Sequence, residues 1–298
     1  MITKTAMITI AGRPNVGKST LTNKLTGDMV AIVSPKPQTT RNRIFGVFSH
    51  ENTQVILQDT PGFHKARTRL GDYMVGVVKK SIADVDAVAL MIEPVDNIGK
   101  QEELLLEHIK STAIPVILVI NKIDTVKYES TLPVIEKYSE HCDFDAIVPI
   151  SAKTGEGLDR LLDVFLKHAK EGPQLFPDGM TTDQPERHIV AEIMREKLLI
   201  CLDKEIPHGT AVEITKFSER GDKDSAIIDI DATIYCERKS HKGMIIGKNG
   251  LMLKKIGKLA RVDIERFMGT KVFLQTWVKV KENWRDSNTM IKNFGYIE

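Results

Sequence analysis

Residues 12–19 read Gly12-Arg13-Pro14-Asn15-Val16-Gly17-Lys18-Ser19, with Thr20 next. Two glycines, a lysine and a hydroxyl stand at the spacing G-x-x-x-x-G-K-[ST]. An apolar run at 7–11 precedes this stretch and a helical pattern follows it. A glycine-rich turn between strand and helix aims backbone N–H groups inward, at the positive end of the helix dipole. That arrangement cradles phosphates. Lys18 would reach the β- and γ-phosphates, and the Ser19 hydroxyl would ligate Mg²⁺. Such a loop needs a buried parallel strand behind it, which restricts the fold to an α/β sheet.

The rest of the first half fits that restriction. Apolar runs at 55–57, 87–92, 116–120 and 146–150 alternate with helical patterns such as 70–82 and 101–109. Continuous apolar runs bounded by polar turns suit strands covered on both faces of a parallel sheet. The stretch 171–187, EGPQLFPDGMTTDQPER, holds three prolines and two glycines without an apolar period. It reads as a linker. We therefore expect a nucleotide-binding domain over 1–172, a linker over 173–186 and a second domain over 187–298.

Asn121-Lys122-Ile123-Asp124 follows the run at 116–120, at a strand end where open α/β sheets bind ligands. It resembles the N-K-x-D motif of GTPases, in which the Asp carboxylate accepts both hydrogens of the guanine edge. Adenine lacks that donor pair, so GTP is preferred over ATP. Ser151-Ala152-Lys153 resembles the supporting S-A-K motif. Asp59-Thr60-Pro61-Gly62 resembles the D-x-x-G motif, with Asp59 holding Mg²⁺ through water and the Gly62 N–H meeting the γ-phosphate. Between loop helix and second strand lies 34–43, containing Gln38-Thr39-Thr40-Arg41. A switch threonine there meets Mg²⁺ and the γ-phosphate in the triphosphate state. Thr40 is the choice, with the adjacent Thr39 as alternative. Many GTPases place a water-orienting glutamine directly after D-x-x-G. Phe63 stands there instead, which implies slow intrinsic hydrolysis. Asn15 is read either as a turn residue or, as in some relatives of this class, as a ligand for K⁺ acting in place of an arginine finger.

The second half has another pattern. Val190, Met194, Leu198 and Leu202 share a helical face, strand-like runs cover 211–217 and 226–235, and Asp229 and Asp231 alternate with Ile230 and Ala232. Leu253, Ile256, Ala260, Ile264 and Phe267 then recur at helical spacing opposite Lys254, Lys255, Lys258 and Arg261, before a strand over 272–280. Net charge is +2 overall, but residues 237–285 hold 13 basic and 4 acidic groups, +9. Such asymmetry suggests a polyanion surface. Met244-Ile245-Ile246-Gly247-Lys248-Asn249-Gly250 supplies a G-x-x-G turn. The order helix, strand, strand, G-x-x-G, helix, strand resembles a K-homology domain of the bacterial type, in which that turn clamps about four single-stranded nucleotides. Lys248 and Asn249 sit in the turn, Ile245 and Ile246 are expected as the groove wall, and Lys242, Lys254 and Lys255 as phosphate contacts. Phe267 and Phe273 are expected in the core.

A GTPase domain followed by one K-homology domain resembles the Era family of GTPases. GRPNVGKS, QTTR, DTPG, NKID, SAK and IIGKNG carry the resemblance, and REKLL and WVKVKENW also look like that family's second domain. It implies Mg²⁺-dependent hydrolysis of GTP to GDP and phosphate. It also implies binding to the 3′ end of small-subunit (16S) ribosomal RNA, help in assembling the small ribosomal subunit, and peripheral contact with the inner face of the plasma membrane. A monomer is expected. Three scattered cysteines argue for a reducing compartment. No run approaches the roughly 20 apolar residues of a membrane helix, and residues 1–10 do not look like a signal peptide. Both point to the cytoplasm. Two other readings compete. In one, GTP is only a structural ligand of an RNA-binding module. In the other, the basic patch of a membrane-associated signalling GTPase reads anionic lipid, which needs charge but no G-x-x-G turn.

Overall fold

The computed structural model describes residues 1–221 and 226–296. Part of the polar stretch expected between the two strands of the second half, 222–225, and the last two residues lie outside the described residues. The chain divides into two compact units, residues 1–67 with 71–183, and residues 68–70 with those from 184 onward.

The first unit is built on a parallel sheet with one antiparallel edge. Its elements are β1 (Lys4–Ala11), α1 (Lys18–Thr26), β2 (Ile44–His50), β3 (Thr53–Asp59), α2 (Arg69–Ala83), β4 (Ala87–Ile92), α3 (Lys100–Lys110), β5 (Val116–Ile120), α4 (Thr131–Ser139), β6 (Ala146–Pro149), α5 (Leu158–Lys167) and the two-residue β7 (Lys170–Glu171). The sheet order is β2-β3-β1-β4-β5-β6, with β7 antiparallel to the start of β1. Ala6, Ile8 and Ile10 of β1 are fully buried. They face a core shared with Leu21 of α1 and with Leu161 and Phe165 of α5. The opposite face packs under α2, α3 and α4 through Val78, Ile82, Leu105, Ile109 and Val134. Helices on both faces explain why these strands read as unbroken apolar runs. The loops after β1, β3, β5 and β6 consequently gather at one edge of the sheet.

The stretch expected as a linker begins differently. The Gln54 side chain accepts from the N–H groups of Leu175 and Phe176 at 2.9 Å, and Val47 N–H donates to Thr181 O at 2.8 Å. Residues 173–183 thus run beside β2 and belong to the first unit. Proline and glycine mark irregular backbone, but irregular backbone still satisfies its hydrogen bonds where neighbours offer them.

The second unit comprises α6 (Glu186–Cys201), β8 (Thr210–Arg220), β9 (Ile227–Cys236), α7 (Lys239–Ile246), α8 (Leu251–Met268), β10 (Lys271–Val280) and α9 (Asn288–Asn293). The sheet order is β10-β9-β8, parallel between β10 and β9 and antiparallel between β9 and β8. Ile230, Ala232, Ile256, Ala260 and Ile264 are buried, while Asp229 and Asp231 stay half-buried. Phe273 departs from expectation: it is 50% exposed, and Trp277, four residues along the same strand, is 43% exposed. Even-numbered residues of β10, such as Val272 and Val278, take the core instead, so the strand's period places Phe273 on the open face.

Candidate functional site

The loop after β1 wraps the start of α1. Gly17 has φ +106°, and a Cβ there would lie 2.3 Å from Asn121 Nδ2, so only glycine fits. No side chain caps α1, and its first turn holds no acidic residue. Its free N–H groups are left to an anion. Lys18 is buried and donates to the carbonyls of Gly12 at 3.2 Å and Arg13 at 2.9 Å. Burial pushes its ammonium down to about 8, against the opposing pull of Asp59. A phosphate group is the natural counter-charge for it.

Three oxygens meet beside this lysine. Ser19 Oγ donates to Asp59 Oδ2 at 2.6 Å and lies 2.9 Å from Thr40 Oγ1. Thr39 instead donates to Lys36 O at 2.6 Å, within its own loop. Asp59 Oδ1 is buried without a partner. Burial above all pushes the Asp59 carboxyl up to about 6, although Lys18 and hydrogen bonds from Ser19, Thr60 and Thr40 oppose this. A hydroxyl–carboxylate–hydroxyl set with an orphaned anionic oxygen suits a hard divalent cation.

At the base end, Asn121 donates to Val16 O at 2.7 Å and accepts from Ala152 N–H at 2.9 Å, tying three loops together. Ser151 Oγ donates to Asp124 Oδ1 at 2.7 Å. This orients the carboxylate with its second oxygen available. Between the two ends lies a cavity of roughly 670 Å³. Of the residues singled out in the sequence, Pro14, Asn15, Gly17, Lys18, Ser19, Thr20, Gln38, Thr39, Thr40, Gly62, Asn121, Lys122, Asp124, Ala152 and Lys153 line it. Asp59, Thr60 and Ser151 are buried behind it, and Gly12, Arg13, Val16 and Pro61 do not line it. Ser34 and Pro35, at the start of the 34–43 segment, also line the cavity, as do Ile32, Val33 and Thr125, which carry no motif that singles them out. Phe63 packs among Ala11, Val78 and Ile82 under α2, and only its N–H faces the loop, donating to Gly12 O at 3.0 Å. Asn15, at φ +66°, donates through its side chain to Pro35 O at 2.7 Å.

The second unit carries the turn 247–250. Gly247, Asn249 and Gly250 have φ of +73°, +52° and +76°. A Cβ on Gly247 would fall 2.6 Å from Met252 Cβ. α8 starts directly after the turn with no side-chain cap and no acidic residue in its first turn. Its N–H groups are open to an anion, as at α1. Lys248, Asn249, Lys254 and Lys255 are exposed, and Lys242 and Ile246 are half-buried. Ile245, expected in the groove wall, is fully buried and packs inward because α7 turns that side chain into the core. The exposed apolar residues flanking the turn are Met244 (55%) and Leu251 (63%), which the helical pattern alone did not single out.

A glycine loop between β1 and α1, on this sheet order, defines a P-loop GTPase domain, and the second unit is a K-homology domain. Comparisons agree. A family model described as 50S ribosome-binding GTPase matches residues 7–122, and one described as KH domain matches 205–285. GTPase Era of Ruminiclostridium cellulolyticum is 50% identical over 293 residues, 98% of this chain and 97% of that protein. GTPase Era of Clostridioides difficile is 49% identical over 294 residues, 98% of each. A crystal structure of Era with MgGDPNP and nucleotides 1506–1542 of 16S ribosomal RNA has a TM-score of 0.95 at 39% identity, covering 99% of this chain and all of that one. A point variant of Aquifex aeolicus Era bound to GDP and AlF4⁻ gives 0.94 at 40%, covering 99% of this chain and all of that one. The chain belongs to the Era family of GTPases.

Proposed function

We propose that this protein is a GTP-driven switch that binds small-subunit ribosomal RNA near its 3′ end and assists assembly of the small subunit. The observation that carries this reading is the presence on one chain of a guanine-nucleotide cavity and an uncapped G-x-x-G turn. The relative crystallised with a 16S ribosomal RNA fragment supports the choice of RNA.

In this reading the 12–19 loop and the first turn of α1 bind the phosphates, and Lys18 neutralises charge on the β- and γ-groups. Ser19, Thr40 and Asp59 hold Mg²⁺, whose chemistry is to offset charge developing on the transferred phosphoryl group. Asp124 accepts from the guanine edge. Water attacks the γ-phosphorus in line, giving GDP and phosphate. Phe63 is buried and has no amide to orient that water, so the unaided rate is slow. Asn15 already reaches the 34–43 segment at Pro35 O, which supports a role in holding K⁺ there. Equal hydrolysis rates in K⁺ and Na⁺ would remove this element. Loss of the γ-phosphate releases 34–43 and 59–69, and the RNA groove responds. At the turn, Gly247 and Gly250 let phosphates approach, and Lys242, Lys248, Lys254 and Lys255 add charge. Ile246 with Met244 and Leu251 offers apolar surface to bases.

We place the protein in the cytoplasm as a monomer, with peripheral contact to the inner membrane through the same basic surface; liposome flotation with and without RNA separates lipid from RNA binding. The direct test is equilibrium binding of an RNA matching the small-subunit 3′ end. Binding that weakens steeply with salt is expected, since each phosphate contact releases counterions. Absence of binding even at low salt would refute the RNA assignment.

A further inference from the structure

A charged bridge runs behind the nucleotide cavity. Glu93 follows β4, the strand between β1, which carries the phosphate loop, and β5, which carries the base-reading loop. One carboxylate oxygen of Glu93 pairs with Lys122 Nζ. The other lies 3.8 Å from Arg13 Nη2. Glu93 itself does not line the cavity, whereas Lys122 does. Arg13 is pinned a second time, with Nε 2.9 Å from Glu102 Oε1. The Glu102 side chain is only 1% exposed. Its other oxygen accepts the Gly99 N–H at 3.0 Å. The Arg13 carbonyl is in turn the nearer acceptor of the Lys18 ammonium.

The chain of contacts therefore runs from helix α3 through Arg13 to the phosphate loop, and through Glu93 to Lys122 at the base end. Lys122 has φ +66°, a left-handed conformation that strains a lysine and leaves its long side chain to be directed by its partner. We propose that Glu93 is a positioning residue for the nucleotide, holding Lys122 against the base end and Arg13 against the phosphate end so that both loops are set at one spacing before ligand arrives. Preorganisation of this kind raises affinity by lowering the ordering that binding must supply. It acts on GDP and GTP alike, because the bridge touches neither the γ-phosphate nor the attacking water. The inference rests on the guanine-nucleotide reading of the cavity.

The test is nucleotide binding and turnover by the full chain carrying Glu93→Gln, which keeps shape and removes charge. Dissociation constants for GDP and a non-hydrolysable GTP analogue should rise together, by about two- to fivefold, the upper part of the range for losing a partly exposed charge pair. KM should rise with kcat unchanged. The pair is about one-third exposed, so the melting temperature without nucleotide should barely move. In a Lys122→Met background, Glu93→Gln should add much less, because Lys122 is one of the two groups through which it acts. Glu93→Asp serves if the glutamine variant fails to fold, with a smaller rise expected. Unchanged constants, a fall in kcat at constant KM, or effects that multiply in the double variant would overturn the proposal. Wild-type protein that bound no guanine nucleotide would overturn the cavity's reading itself.

Discussion

Replacing Asp59 by asparagine should stabilise the nucleotide-free protein while ending its turnover of GTP. Asp59 is fully buried, with one oxygen bonded to Ser19 and the other without a partner. Burial lifts its carboxyl from 3.8 to about 6. Between those values the folded protein holds a proton that the unfolded chain has released, so folding is favoured by acid. As pH rises through about 6 that advantage is lost, and the folded state must carry an ionised carboxylate it disfavours. A shift of roughly two units, at 1.36 kcal/mol each, puts the cost near 3 kcal/mol above neutrality. Asparagine has the shape of the neutral acid and carries no such cost. Urea unfolding of both proteins, stripped of nucleotide and divalent ions, measures the difference for the first unit. The variant should gain up to about 3 kcal/mol at high pH, and the gain should shrink towards zero as pH falls below the unfolded value. Saturating Mg²⁺ and GDP should stabilise the wild type far more than the variant, since only the wild type offers the cation a carboxylate. A variant less stable than wild type above neutrality, or a gain independent of pH, would show that burial does not disfavour the ionised Asp59 carboxylate.

Lys18 gives the complementary dependence on the basic side: burial holds its ammonium near 8, so affinity for GDP without Mg²⁺ should fall as pH rises past that value, and titration calorimetry across the range should show it. Gly250 has φ +76° with no atom within 4 Å of where a Cβ would stand. Gly250→Asp should therefore cost only about 1 kcal/mol of stability, as aspartate tolerates left-handed backbone, yet lower RNA affinity more than tenfold by setting a carboxylate against phosphate; unchanged RNA binding would refute the turn's role. Trp284 is fully buried, donates to Gly209 O at 3.0 Å and meets Phe294 edge-on at 5.2 Å. Trp284→Ala should cost about 3–5 kcal/mol in urea unfolding of the second unit, and a loss under about 1 kcal/mol would contradict the packing described.

The sites were legible because their chemistry fixes residue types at strand ends, and strand ends are visible as breaks in apolar runs. Asn121 and Asp124, from one stretch of four residues, and Ser151, from one of three, stand out for that reason, and the structure brings them together. Edge elements were less legible. β2 interrupts its apolar residues with Gly46 and trails into Ser49 and His50, since an edge strand need not be buried along its length. The short α7 contains Gly243 and has no polar face to set against an apolar one. Hydrophobicity alone points Phe273 to the core, whereas the strand period decides its side. Pairings distant in sequence were invisible altogether. Lys197 is buried in α6 against Asp263 of α8, and Glu93 joins residues 80 positions and 29 positions away. Gln54 gathers the 173–183 stretch through three hydrogen bonds that no local pattern announces.

The central claim is that the nucleotide cavity and the RNA groove are coupled, and linkage requires such coupling to act in both directions. GTP hydrolysis by the full chain, followed with and without an RNA matching the 3′ end of small-subunit ribosomal RNA, tests it most directly. A faster rate with RNA is expected, with the stimulation lost in Gly250→Asp. A rate unchanged by RNA that is demonstrably bound would contradict it.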